Sequence, residues 1–232
     1  MQLIESSIIG LRSARHRMAS GSKRPVVTLF PMVHIGEPDF YETVYAQACK
    51  ADVVLTEGIQ SPMVRRLTRS YRWIDLENLG LVLQPRFPTP PPGCRVLNAD
   101  LSGDEFEAAW RDLPLWLRFA APQRSAFVGL RHRLRLSRQS LVSGVSSLND
   151  KASRASAFEW GTPGYDLAGP IRRLRDDRLC SLLLGLLEEN HDREMSISVV
   201  YGASHMPAVL RLLRTYGEYR PAGSEWLTAI SL

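Results

Sequence analysis

Long apolar runs are missing from this sequence of 232 residues. No stretch approaches the roughly 18 consecutive apolar residues that a membrane-spanning helix requires. The N-terminus reaches a carboxylate at Glu5 and lacks the basic region, apolar run and small-residue cleavage site of a secretory signal. We therefore expect a soluble protein with neither a leader nor a membrane span.

Cysteine is also scarce, and Cys49, Cys94 and Cys180 lie far apart in the chain. There is no Cys-x-x-Cys spacing, so the sequence suggests neither a disulfide framework nor a thiolate zinc site. Free cysteines usually behave as small buried hydrophobic residues. We expect three reduced thiols and a cytoplasmic location.

Acidic residues are nearly absent from residues 111–138, where seven arginines accompany a single acid, Asp112. The whole chain has a formal net charge of +5. An arginine-rich helical face is most often solvated, although it can also attract phosphates or anionic lipid. Nucleic-acid binding is therefore not expected, and weak contact with an anionic membrane surface stays open.

The patterns that are present predict an α/β protein. Hydrophobic residues make up 44% of the chain and charged residues 23%, as in ordinary globular proteins. Short β-branched or aliphatic stretches, each running into a polar residue, predict buried strands. The predicted strands are 26–34, 52–57, 95–100 and 196–205.

Helical patterns separate these strands. Pro38 begins a segment whose apolar residues recur at helical spacing, which gives a strand–helix–strand unit, and Ser102 with Glu105 predicts a capping box. We expect a single domain over residues 1–232, with a mostly parallel central sheet, helices on both faces and a helical and loop insertion at about 103–170. Helices are predicted at 103–111, 123–142, 171–189 and from 206 onward, a last strand at 225–230, and a lid at 143–170.

Four chemically useful residues follow the predicted strands: His34, Glu57, Asp100 and His205. In open α/β sheets, ligands bind beyond the carboxyl ends of the parallel strands. Two imidazoles and a carboxylate can bind Zn, Mn or Fe(II) and leave positions open for water or substrate. Such an ion activates water for hydrolysis, with Asp100 as a candidate general base. Gly202 predicts a tight turn whose backbone approaches a ligand closely.

A structural explanation also exists for each of these residues. Buried histidines can be satisfied by backbone carbonyls, and carboxylates at strand ends can cap the helices that follow. The remaining histidines, His16, His132 and His191, lie in charged surroundings and are expected at the surface.

At these residues the chain resembles the TraB, GumN and Tiki family, a group of metal-dependent hydrolases with two separated Gly-x-x-His motifs and a glutamate between them. The stretch VVYGASHMPAVLRLL, 199–213, looks like the family's second motif, and DVVLTEG places Glu57 at the family's glutamate. In LFPMVHIGEP, Pro31 stands where the family usually has glycine. The resemblance runs in order from Val26 to the C-terminus, except between Asp112 and Pro170.

Two further segments carry the resemblance. VLNAD looks like the family's strand ending in aspartate, although Leu101 follows Asp100 where many members have arginine. Residues 175–178, RDDR, look like an arginine-containing helix start, and Arg178 is the basic residue that we match to it.

The resemblance implies a metal-dependent hydrolase, with peptidase as one option, acting on a peptide or small-molecule substrate. His34, Glu57 and His205 would be metal ligands, Asp100 the acid or base, and Arg178 an anion clamp, with Gly202 beside the ligand. Related folds include a haem-binding lipoprotein and erythromycin esterase, so a haem-binding module remains an alternative. A regulatory protein with a decayed site is the third.

Overall fold

A computed structural model describes residues 1–21, 24–68, 75–119, 123, 137–144, 148–149 and 169–232. The strands are β1 Gln2–Ser7, β2 Gly10–Ala19, β3 Val26–Met32, β4 Ile35–Gly36, β5 Val53–Thr56, β6 Val82–Leu83, β7 Arg95–Asn98, β8 Leu148–Asn149, β9 Ser196–Gly202 and β10 Arg220–Ser231. The helices are α1 Pro38–Ala48, α2 Pro62–Leu67, α3 Gly103–Asp112, α4 Arg138–Gly144, α5 Gly169–Glu189 and α6 Met206–Gly217.

One side of the sheet consists of four parallel neighbours in the order β7-β5-β9-β3. These are the four strands that the sequence predicts, and the α/β class with a mostly parallel central sheet flanked by helices is confirmed. Their registers place Met32 beside Gly202 and Thr56 between Val200 and Asn98. The carboxyl ends of all four strands therefore meet at one edge of the sheet.

Antiparallel strands extend the sheet beyond β3. Strand β2 pairs with β3, β1 and β10, and β8 pairs with β1. The sequence pattern gives no sign of β1 or β2, because β2 alternates arginines with small residues and so has little hydrophobic signal. His16 in β2 is buried and its Nε2 lies 2.7 Å from the carbonyl oxygen of Gln2, so its predicted surface position is wrong.

Helices cover the sheet through apolar faces that the sequence pattern anticipates. Helix α1 begins at Pro38, which suits a first turn, and buries Phe40, Tyr41 and Val44. A smaller cluster lies between α3 and the start of α5. Its buried members are Leu101, Phe106, Trp110, Leu113 and Ile171.

Helix α3 begins with the predicted capping box. The Ser102 hydroxyl accepts a hydrogen bond from the Glu105 amide at 3.2 Å, and the Glu105 carboxylate accepts one from the Ser102 amide at 2.7 Å. Of the helix predicted at 123–142, residues 138–142 are helical within α4. Most of its earlier part, and most of the lid at 143–170, fall outside the described residues. None of the helices in the described ranges is long and apolar enough to cross a membrane.

Candidate functional site

The edge formed by the carboxyl ends of the parallel strands brings Glu57, Asp100 and His205 towards helix α5. Glu57 follows β5 directly, Asp100 lies two residues beyond β7, and His205 ends a 3-10 turn that connects β9 to α6. Each residue thus takes its place from the end of a paired strand. Among the described strands, β5 and β9 are paired on both sides and β7 is paired with β5.

Asp100 is held by Arg175 of α5. The Asp100 side chain has 0% exposure and accepts two hydrogen bonds from the guanidinium, from Nε at 2.8 Å and Nη2 at 2.7 Å. The amides of Leu101 and Gly58 donate to the same carboxylate at 2.9 and 3.1 Å. These bonds use the acceptor positions of both oxygens. This geometry favours a positioning role for Asp100, which holds Arg175 in place. It does not favour the acid or base role that the sequence predicts for Asp100.

The electrostatics of this pair favour the charged forms. Burial alone would raise the pKa of Asp100, but the hydrogen bonds and charge of Arg175 and the two amides outweigh burial and lower it. Burial likewise opposes the charge of Arg175, and the Asp100 carboxylate reverses that effect and raises the Arg175 pKa. An ionised pair therefore lies at the base of the site.

Glu57 lies against the backbone of Gly202. Its Oε2 accepts a hydrogen bond from the Gly202 amide at 3.1 Å and a longer one from Arg175 at 3.4 Å. A Cβ at position 202 would lie 3.2 Å from Glu57 Oε2 and 3.5 Å from Cδ2 of His205. The predicted tight turn thus brings this glycine into close contact with two of the predicted ligands.

His205 is buried and is oriented by Asp176 of α5. The distance from His205 Nδ1 to Asp176 Oδ1 is 2.6 Å. Because an ionised carboxylate only accepts hydrogen bonds, Nδ1 is the donor, and a neutral ring then carries its lone pair on Nε2. Within the described part of the chain, Nε2 has no hydrogen-bond partner. This arrangement suits a general base or a metal ligand.

Tyr201 fills the space between Arg175 and His205. The Arg175 guanidinium lies 5.4 Å from the Tyr201 ring centroid, and the His205 ring meets that ring edge-on at 4.9 Å. Its hydroxyl is buried and makes no hydrogen bond to any described residue. Burial chiefly, opposed by Arg175 and assisted by Asp100 and Glu57, raises the Tyr201 pKa. The tyrosine therefore remains neutral and separates the ion pair from the histidine.

Two predicted site residues lie apart from this cluster. His34 follows β3 at the same edge, but its side chain is exposed, and the backbone carbonyl accepts a hydrogen bond from the Gln84 amide at 2.8 Å. Arg178 is exposed on α5. Its charge adds to the Ser102 hydrogen bonds that lower the pKa of Glu105. The anion clamp predicted at Arg178 therefore has no contact with the carboxylates, whereas Arg175 does.

Arg175, Asp176 and Tyr201 are the members of the cluster that the sequence pattern leaves unassigned. A helical signal for the first two exists: Arg175 precedes the fully buried Leu179 by four residues and Asp176 precedes it by three. Residues at these spacings share one helix face, whereas Arg178 is a quarter-turn away from Leu179. The periodicity of α5 therefore selects Arg175 over Arg178.

The donor set can be compared with the needs of a divalent ion. Among the described residues, no group of three or more His, Cys, Asp or Glu side chains is arranged to hold a metal ion. Two donors are nevertheless uncommitted and flank Gly202: His205 Nε2, and Glu57 Oε1, whose neighbour Oε2 takes the hydrogen bonds. A carboxylate on the far nitrogen of the imidazole is the usual companion of a histidine ligand. Glu57 and His205 therefore fit an open metal site as two of its protein ligands.

Comparisons with protein families, with curated proteins and with solved structures give no match for this chain. The fold and the site define the chain as an α/β protein with a histidine–carboxylate pair beside an arginine-bound carboxylate. The resemblance to the TraB, GumN and Tiki family remains a prediction.

Proposed function

We propose that this chain is a metal-dependent hydrolase in which Glu57 and His205 hold one divalent ion, Zn, Mn or Fe(II). The observation that carries the proposal is the 2.6 Å contact of His205 Nδ1 with Asp176, which leaves Nε2 available on a ring that lies, like the Glu57 carboxylate, beside Gly202. When bound there, the ion would supply the Lewis acidity that activates water and polarises a substrate carbonyl.

The chain's own residues have separate roles in this proposal. Asp176 fixes the tautomer and the plane of the His205 ring, and is a positioning residue. Arg175 and the Gly202 amide hold one oxygen of Glu57, so that the other oxygen keeps a constant direction. The Tyr201 ring excludes water from the ion pair below. His34, which the resemblance implies as a third ligand, is exposed and apart from this cluster and has no role in the proposed site.

A peptide or a small amide or ester is the substrate class that this chemistry serves. We place the activity in the cytoplasm, and the free thiols of Cys49, Cys94 and Cys180 support a reducing compartment. Haem binding and a purely regulatory role are the alternatives, and the oriented, uncommitted imidazole favours hydrolysis over both.

Hydrolysis of a library of peptides and of small ester and amide substrates, before and after removal of divalent ions, tests this function. We expect activity that a chelator abolishes and that Zn, Mn or Fe(II) restores, and that His205→Ala and Glu57→Gln both lack. Asp176→Asn should retain weak activity, because the ligands remain and only the orientation of the ring is lost.

His191→Ala is the matched control, because His191 is exposed and precedes β9, at the opposite end of that strand from His205. Activity that survives the chelator but is lost in His205→Ala would contradict the requirement for a metal ion and would assign His205 as a metal-free general base. A Soret band on haem titration that requires His205, without any hydrolysis, would replace the proposal with a haem-binding module.

A further inference from the structure

Two of the cysteines, Cys49 and Cys94, meet in the fold although they are well separated in the sequence. Cys49 is the C-cap of helix α1, and Cys94 immediately precedes strand β7. Their thiols are in hydrogen-bonding contact with each other. The third cysteine, Cys180, lies on a different element, α5. The fold thus pairs two thiols that the spacing of cysteines in the sequence does not connect.

The backbone on both sides fixes the position of this thiol pair. The Cys49 amide donates to the carbonyl oxygen of Tyr45 at 3.0 Å, which continues the hydrogen bonding of α1. The Arg95 amide donates to the carbonyl oxygen of Asp52 at 3.0 Å, and Arg95 is the partner of Val53 in the pairing of β5 with β7. The residue before β7 therefore lies beside the short segment that connects α1 to β5. The contact between the thiols follows from this strand pairing.

The surroundings of the two thiols give them different reactivity. Both residues are half-buried, so a small oxidant can reach them from solvent. Burial first, and then the neighbouring Cys94 thiol, raises the pKa of Cys49 to about 11. Cys49 is therefore protonated near neutral pH, and the thiolate is the reactive form of cysteine. The first attack on an oxidant accordingly belongs to Cys94, with Cys49 as the resolving thiol.

We propose that Cys49 and Cys94 form a reversible intramolecular disulfide when the chain is exposed to a disulfide oxidant such as oxidised glutathione. The Cys94 sulfur attacks one sulfur of oxidised glutathione, releases one reduced glutathione and becomes a mixed disulfide. The Cys49 sulfur then attacks the Cys94 sulfur and releases the second reduced glutathione. The two thiols lose two electrons and two protons, and oxidised glutathione gains both.

The disulfide would attach α1 to a strand that has little other support. Among the described strands, β7 pairs only with β5, and its residues are exposed or half-buried. Elements with few buried contacts open more readily than the core does. Asp100, which holds Arg175, lies two residues beyond β7. Oxidation would therefore stabilise the strand that carries Asp100, and this effect depends neither on hydrolysis nor on a metal ion.

Incubation of the native full chain with oxidised glutathione, followed by alkylation of free thiols and peptide mapping without reduction, tests the proposal. We expect a cross-linked peptide that joins Cys49 to Cys94, a free thiol at Cys180, and recovery of all three thiols with dithiothreitol. Amide hydrogen exchange at residues 95–98 should slow about tenfold in the oxidised chain, because the cross-link opposes opening of β7. In Cys49→Ser the mixed disulfide with glutathione should accumulate at Cys94.

The matched control is Cys180→Ser, which should form the cross-link as the wild type does. Circular dichroism of the reduced variants should show both folded, and the wild-type peptide map decides the proposal even if Cys49→Ser does not fold. Three thiols that stay free in excess oxidised glutathione would overturn the proposal. So would a cross-link that includes Cys180, disulfide-linked dimers, or mixed disulfides that persist on the wild type without closing to the Cys49–Cys94 bond.

Discussion

At the scale of single residues, Arg175 is the group on which the site depends most. It neutralises the fully buried Asp100 and contacts Glu57. Arg175→Ala would leave a buried carboxylate without its cation, and we expect the free energy of unfolding to fall by about 3 kcal/mol. Arg178→Ala, three residues along the same helix, should change it by less than about 0.5 kcal/mol. Denaturant unfolding of both variants measures the difference, and equal effects would contradict the assignment of Arg175.

Asp100 makes the stability of the chain depend on pH in a defined direction. Its pKa is lower in the folded chain than the about 3.9 of an unfolded aspartate. The ionised form therefore stabilises the fold above that value, and the stabilisation is lost as the pH falls through the lower folded pKa. Unfolding free energies of the wild type and Asp100→Asn should differ most near pH 6, and the difference should shrink as the pH falls below about 3.9. A difference that is constant across this range would show that Asp100 is not ionised in the fold.

Position 202 is occupied by glycine because there is little space for a side chain beside Glu57. A Cβ there would approach Glu57 Oε2 at 3.2 Å, so Gly202→Ala must displace the carboxylate, and we expect a loss of about 1 kcal/mol. Gly185→Ala in the middle of α5 has nothing within 4 Å and should instead stabilise by about 0.5–1 kcal/mol. Thermal unfolding gives the sign of each change. Two changes of the same sign would show that the space around Gly202 does not decide its effect.

The sequence predicts those site residues that lie at the ends of strongly hydrophobic segments. Glu57 and His205 follow strands with strong hydrophobic patterns and Gly202 ends one of them, and the structure brings the three residues together. Asp176 is missed because its function depends on which face α5 turns to the sheet, and a run of charged residues conceals that face. His34 lies two residues beyond its strand, where the backbone has already turned away into β4.

At the scale of secondary-structure elements, the start of α3 gives a direct test of local design. Ser102→Ala removes the hydroxyl that accepts from the Glu105 amide, and should cost about 1 kcal/mol. Ser181→Ala on the exposed face of α5 involves no cap and should be neutral or slightly stabilising, since alanine is the better helix former. Urea unfolding compares the two, and an equal loss in both would mean that the capping box contributes nothing.

The burial of each strand explains which strands the sequence predicts well. The strands β3, β5 and β9 are largely buried on both faces and therefore read as continuous apolar runs, whereas β7 is exposed or half-buried at the end of the described sheet. Strands β1, β2 and β10 are antiparallel and carry polar residues on one face. For β10 the predicted strand 225–230 is the more apolar end of a strand that begins at Arg220. Pairing with β2, which is a long-range contact, accounts for the rest.

At the scale of the whole molecule, parallel pairing converts scattered residues into one site. Glu57, Asp100 and His205 are far apart in the sequence and meet because β5, β7 and β9 are neighbours in register. The α/β class could be derived from the alternation of strands and helices. The order of the strands, and the choice of Arg175 on α5, could not, because they arise from tertiary packing.

Metal binding at His205 is the central claim of the proposed function. Isothermal titration of the metal-free chain with Zn, Mn or Fe(II) should show one site per chain, absent in His205→Ala and unchanged in the exposed His191→Ala. Asp176→Asn should weaken that site about 10- to 100-fold, because the carboxylate that orients the imidazole is lost. Binding that is identical in the wild type and His205→Ala, or no stoichiometric binding in the wild type, would contradict the account.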